Sequence, residues 1–134
     1  MNLVELRAEL DADELIRGYA SMNDFDAAAD MNLEIRERVK PNGATGSEIF
    51  DQTNEDEYIA LTSPKRTEWL ALCGIDVVSL QNTSPAAPIV TEIFGNPSQT
   101  RTNLLAFRLE TVSRGVEIDL GVIREGHVQQ ARAL

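Results

Sequence analysis

Cysteine is nearly absent from this chain: Cys73 is the single instance in 134 residues. An internal disulfide is therefore impossible, and zinc sites of the multi-cysteine kind are excluded. Cys73 sits in the apolar run LALCG, which predicts a packed thiol in a reducing setting. Histidine is equally scarce. His127 stands alone near the end, no nucleophile signature surrounds any serine, and a surface or capping role is expected for it. Aromatic residues make up only 5%, so a core must rest on Leu, Ile, Val, Ala and Met. No apolar run approaches the ~20 residues of a membrane span, and the acidic N-terminal stretch has no signal core. The glycines are dispersed, which leaves no phosphate-cradling loop.

What is present in excess is acid. The formal charge is −10, and its distribution is uneven. Residues 1–61 hold 15 Asp and Glu against five Lys and Arg, whereas residues 62–134 hold seven of each. Such a field repels phosphate backbones, so direct nucleic-acid binding is not expected; solubility and attraction to a basic partner are.

Helix punctuation runs along the whole chain. Leu3, Leu6 and Leu10 share helical spacing. The clearest N-terminal segment is 24–39, capped by Asn23, with Ala28, Met31, Ile35 and Val39, joined by Phe25, as an apolar stripe. Thr45 or Ser47 opens a short piece, and Asn54 with Glu57 has the form of a capping pair. Ser63-Pro64 begins a helix that Gly74 ends, and Ser84-Pro85 begins another that Gly95 ends. Ser98 caps a long helix over 99–114. Residues 116–123 alternate apolar and polar, the periodicity of a short extended segment, with continued helix as the competing reading. The expectation is a single, mainly α domain over 1–134, of several short helices with one short extended piece near 116–123. Trp69, Leu72, Ile93, Phe94, Leu105 and Phe107 are expected to share one core.

Few residues invite chemistry. An EF-hand loop begun at Asp24 would place Ala28 and Ala29 at its fifth and sixth positions, where an oxygen ligand and Gly are needed. One begun at Asp51 places Asp56 at the Gly position and Thr62 where the bidentate Glu belongs. A helix-turn-helix over 64–94 has too long a connection, and its second helix carries no basic residue. No catalytic set, metal site or cofactor is expected. The one candidate surface is the outer acidic stripe of segment 24–39, namely Asp26, Asp30, Glu34 and Glu37, as a docking face for a basic partner.

One resemblance spans most of the chain. The run RAELDADELIRGYASMNDFDAAADMNLEIRER, with Gly18-Tyr19, Met22 and Ala27–Asn32, is similar to small proteins of tailed bacteriophages and prophages encoded among late structural genes. Ala71-Leu72-Cys73, Ile93-Phe94-Gly95, Val112-Ser113-Arg114 and the stretch Gly126–Ala133 extend the likeness. The chain departs from that pattern at Glu14-Leu15-Ile16, where many members have a Pro-Leu pair and a Gly. The resemblance implies a non-enzymatic structural or accessory protein of the virion, at the head–tail connector, tail or baseplate. It implies other phage structural proteins as partners, several copies per particle, no membrane, and residence in the host cytoplasm before assembly. It assigns no site residue. The alternative, carried by the charge asymmetry, is an acidic nucleic-acid mimic that inhibits or regulates a basic host protein.

Overall fold

Short helices closed by polar caps make up most of the structure, a computed structural model describing residues 1–134. The fold is mainly α. In chain order the elements are α1 (Leu3–Ala12), a 3-10 turn (Tyr19–Ser21), α2 (Asp24–Met31), β1 (Arg36–Val39), α3 (Gly46–Phe50), α4 (Glu55–Ala60) and α5 (Ser63–Cys73). They continue with α6 (Ala86–Phe94), α7 (Gln99–Phe107), β2 (Leu109–Val112), α8 (Arg114–Glu117) and α9 (Glu125–Arg132). No helix is long and apolar enough to cross a membrane.

The chain forms two compact units. Residues 1–38 and 111–134 make a terminal unit, and residues 39–110 make a central unit. The chain leaves the first within β1 and returns within β2, and these two strands pair as the only sheet.

In the terminal unit α1 and α2 both pack on α9. Asn2 caps α1 by accepting from Glu5 N, and Asn23 caps α2 by accepting from Asp26 N at 2.7 Å. The buried faces are Leu6 and Leu10 of α1, Ala27, Ala28 and Met31 of α2, and Val128 and Ala131 of α9, with Tyr19 and Ile123 between them. The alanines let the helix backbones approach closely, so a unit with few large side chains still excludes water. Gly115 has a similar role in α8: a Cβ there would clash with the carbonyl oxygen of Gly121.

In the central unit α5 packs against α3 and α6, and α6 packs against α7. Trp69 is fully buried, donates its indole N–H to Thr53 Oγ1 at 3.0 Å, and meets Phe94 edge to face with centroids 4.8 Å apart. Leu72 and Ile93 share this core, and Phe94 and Phe107 pack against it half-buried. Gly46 brings the start of α3 onto the end of α5, where a Cβ would clash with the Cys73 carbonyl oxygen. The helices α4 and α7 interlock through their caps. Asn54 accepts from Glu57 N, and the Glu57 carboxylate accepts from Gln99 N at 2.8 Å and Thr100 N at 2.6 Å. Thr100 Oγ1 in turn accepts from Asn54 N at 3.0 Å. Burial alone would raise the Glu57 carboxyl, but the hydrogen bonds from Thr100 and Gln99 outweigh it and hold the group below its ordinary range.

Four local expectations need correction. The helix expected over 24–39 ends at Met31, because Asn32 is used elsewhere: its side chain donates to Ile123 O at 2.6 Å and accepts from Ile123 N at 2.8 Å. Ile35 and Val39 therefore do not continue the stripe; Ile35 and Phe25 face solvent. The helix expected over 99–114 breaks after Phe107, where Leu109–Val112 pairs with β1. The extended segment expected near 116–123 is instead α8 followed by a turn, with Leu120 N and Gly121 N both donating to Gly115 O. Leu105 is 40% exposed and is not a core residue.

Candidate functional site

The most unusual local structure lies between α1 and the 3-10 turn. Asp13 ends α1 in the left-handed conformation, and its carboxylate then accepts from three successive backbone N–H groups. Arg17 N donates to one oxygen at 2.7 Å; Gly18 N and Tyr19 N donate to the other at 2.7 and 3.2 Å. Burial would raise the Asp13 carboxyl, but these N–H groups outweigh it and hold the group low. The loop they fix forces Ile16 to φ 54°. A β-branched residue rarely adopts that conformation, since its Cβ crowds the following carbonyl. Ile16 is also 90% exposed, so no packing within the chain offsets the strain.

Further bonds make this loop rigid. Arg17 grips Asp30 of α2 with Nε and Nη2, the shortest contact being 2.6 Å. Hydrogen bonding to Asp30, then the negative charge of that carboxylate, raises the Arg17 guanidinium above its usual value. Leu33 N donates to the Asp30 carbonyl, which ties the chain after α2 to the same point. Leu33 and Ile35 are each about half exposed. Arg132 of α9 donates to the Tyr19 carbonyl at 2.7 Å and pairs with Asp24 at 2.7 Å. Tyr19 is buried below, and burial first, then the charges of Asp30, Glu9 and Asp13, push its hydroxyl up to about 12.

Beneath the loop runs a charged network. Arg114 bonds both oxygens of Glu9, at 2.7 and 2.9 Å, and reaches Glu14 and Glu117, each at 3.2 Å. Glu117 also receives Arg36 at 2.6 Å. Hydrogen bonding to Glu9, against the cost of burial, raises the Arg114 guanidinium, with the charges of Glu9 and Glu117 adding to it. Hydrogen bonding from Arg36 in turn lowers the Glu117 carboxyl, opposed by burial and aided by both arginines' charges. Arg114 and Glu9 are both buried, so the pair is dry enough to hold geometry rather than float.

The four acids expected to form one docking stripe do not share a helix face. Asp26 lies exposed in the first turn of α2; Asp30 is turned onto Arg17; Glu34 lies in the bend after α2; Glu37 lies exposed on β1. His127 Nδ1 accepts from Arg124 N at 3.1 Å at the start of α9, a capping contact. Cys73 is half-buried at the end of α5, and burial pushes its thiol up to about 11, away from nucleophilic use. No group of three or more His, Cys, Asp and Glu side chains is placed to hold a metal ion.

Sequence reasoning passed over Ile16 and its loop. The available signal was Asp13 followed five residues later by Gly18, an acid able to cap the turn that the glycine closes. No family model, curated protein or solved structure matches this chain.

Proposed function

We propose that this chain is a non-enzymatic structural or accessory protein of a tailed-phage particle, one that docks onto a neighbouring particle protein through apolar side chains of its terminal unit. The setting comes from the sequence resemblance. The mode of action rests on one observation: Ile16 is held in a left-handed conformation, almost fully exposed, by a loop that Asp13 and Arg17 make rigid. Strain of this kind persists only where the surroundings impose it. A rigid apolar knob loses little conformational freedom on binding, and a partner pocket that takes it removes its surface from water. Exposed Leu33 and Ile35 are tied to the same Arg17–Asp30 pair and widen the surface.

The charge-driven alternative, a nucleic-acid mimic for a basic host protein, keeps the charge asymmetry that carries it but has no single helical stripe to present. Two variants separate the readings. Ile16→Gly keeps the loop conformation available and removes the knob. A triple change of Asp26, Glu34 and Glu37 to Lys reverses charge by +6 and leaves Asp30 to hold Arg17. Mass spectrometry of purified particles should find the wild-type chain as a stoichiometric component, the triple variant present with modest loss, and Ile16→Gly depleted. Exclusion of the triple variant with Ile16→Gly retained, both folded by circular dichroism, would make the acidic surface the contact. Absence of the wild-type chain from particles would overturn the virion reading itself.

A further inference from the structure

The central unit holds a second feature, independent of the apolar knob. Between α6, α7 and the chain that follows α5 lies a cavity of about 200 Å³. Its wall is apolar, from buried Leu72, Val78 and Val90 and half-buried Leu104. Two guanidinium side chains, Arg101 and Arg108, join the neutral polar residues Ser79, Gln81, Asn82 and Thr91 in the lining, and no Asp or Glu contributes to it. That lining runs against composition, since the central unit carries nine Asp and Glu against five Lys and Arg. Arg7, Arg17, Arg36, Arg114 and Arg132 each pair with a carboxylate, whereas Arg101 and Arg108, like Arg66 and Arg124 outside the cavity, are in no ion pair. Arg101 is nevertheless oriented: its Nε donates to Thr91 Oγ1 at 3.3 Å and its Nη1 to Asn96 Oδ1 at 3.4 Å, both neutral acceptors. Its positive charge is left without a counter-charge.

We propose that this cavity is a binding site for a small amphipathic anion, a monocarboxylate whose apolar body fills the cavity while its carboxylate meets Arg101 and Arg108. The volume sets the size. An apolar cavity of roughly 150 Å³ takes a benzene ring, so this one takes one ring or a short alkyl chain, well below drug-sized sites of roughly 300–1,000 Å³. The chemistry of the rim sets the head group: guanidinium donors favour carboxylate, and a charge-assisted bond is about twice as strong as a neutral one. Dispersion and the removal of apolar surface from water hold the body.

The test uses the whole ¹⁵N-labelled chain and three probes with one tail: octanoate, 1-octanol and octylammonium. Octanoate should shift the amides of Val78, Val90 and Leu104 and bind about ten-fold more tightly than octanol. Octylammonium, which the overall charge of −10 favours, should bind worst. Arg101→Gln and Arg108→Gln should each reduce the preference for octanoate over octanol, and Ala87→Phe, placed on the cavity wall, should weaken both. Equal binding of octanoate and octanol to the wild-type chain would overturn the proposal, as would shifts confined to other parts of the chain or none at millimolar probe. The comparison of probes on the unaltered chain decides the matter even where a variant fails to fold.

Discussion

At the scale of single residues, Arg114 carries the most consequence for stability. Its guanidinium is buried against Glu9 and shared with Glu14 and Glu117. Removing one partner of a buried pair strands the other charge, a loss of about 3–5 kcal/mol. Arg114→Met, which leaves the buried Glu9 carboxylate without its partner, should therefore lower the free energy of unfolding by that order in urea titrations, whereas changing Arg114 and Glu9 together to Met and Leu should cost far less. Equal losses in the two variants would show that shape and not charge holds α1 to α8. Cys73 offers a second residue-level expectation. With its thiol raised from 9.0 to about 11, the thiolate fraction near neutrality falls roughly a hundred-fold. Alkylation by iodoacetamide, followed by intact-mass measurement, should be about that much slower in the native chain than in urea. Equal rates would mean the thiol is open to solvent.

At the scale of elements, the chain is held together by caps that reach across helices as well as along them. Trp69→Ala should cost about 3–5 kcal/mol, since it empties the centre of the central core and leaves Thr53 without its indole donor. Thr100→Val keeps the shape but deprives Asn54 N of its acceptor, and should cost about 1–3 kcal/mol by the same urea measurement. A loss below ~0.5 kcal/mol would mean water replaces that bond. These elements also show what was legible in advance. Asn23, Asn54 and Ser98 cap the helices that local pattern assigned to them, and of the two openers offered for α3, Thr45 and Ser47, it is Thr45 that caps, because capping is a short-range hydrogen bond written in three or four residues. The cap at Thr62, one residue before the expected Ser63, shows the usual precision of that signal. Both strands were missed. Nothing local stops the helical pattern at Phe107, and Leu109–Val112 becomes extended only because Arg36–Val39 is beside it. Local pattern pairs Glu57 with Asn54, but its carboxylate serves α7, some forty residues away in sequence. The Arg17–Asp30 clasp on the Ile16 loop and the arginine-rimmed cavity were illegible for the same reason: each depends on groups brought together only by the completed fold.

At the scale of the whole molecule, acid is both the commonest charge and a source of order. Asp13, Glu48, Glu57 and Glu117 all sit below their ordinary values in the folded state, with backbone or arginine donors as the stabilising cause. A group whose folded pKa is depressed contributes stability above its unfolded pKa and loses it as pH falls through the folded one. Unfolded Asp and Glu titrate near 3.9 and 4.3, so the urea midpoint should drop once the pH goes below about 4. Self-repulsion of the net charge works in the opposite sense at higher pH, which places the maximum on the acidic side of neutrality. A midpoint still rising at pH 3 would show that relief of repulsion outweighs all four depressed carboxylates. The terminal unit is assembled from both ends of the described chain, and that arrangement bears on the order of events at the ribosome. Leu6, Leu10 and Met31 cannot bury their surface until Val128 and Ala131 have been made, whereas every residue of the central core is synthesised before those two. At elongation rates of about 5–20 residues per second, α1 and α2 wait for roughly 5–20 s with their apolar faces uncovered. During that interval the acids of residues 1–38 keep neighbouring nascent chains apart by repulsion, so the charge that is surplus in the finished molecule protects it while it is being made.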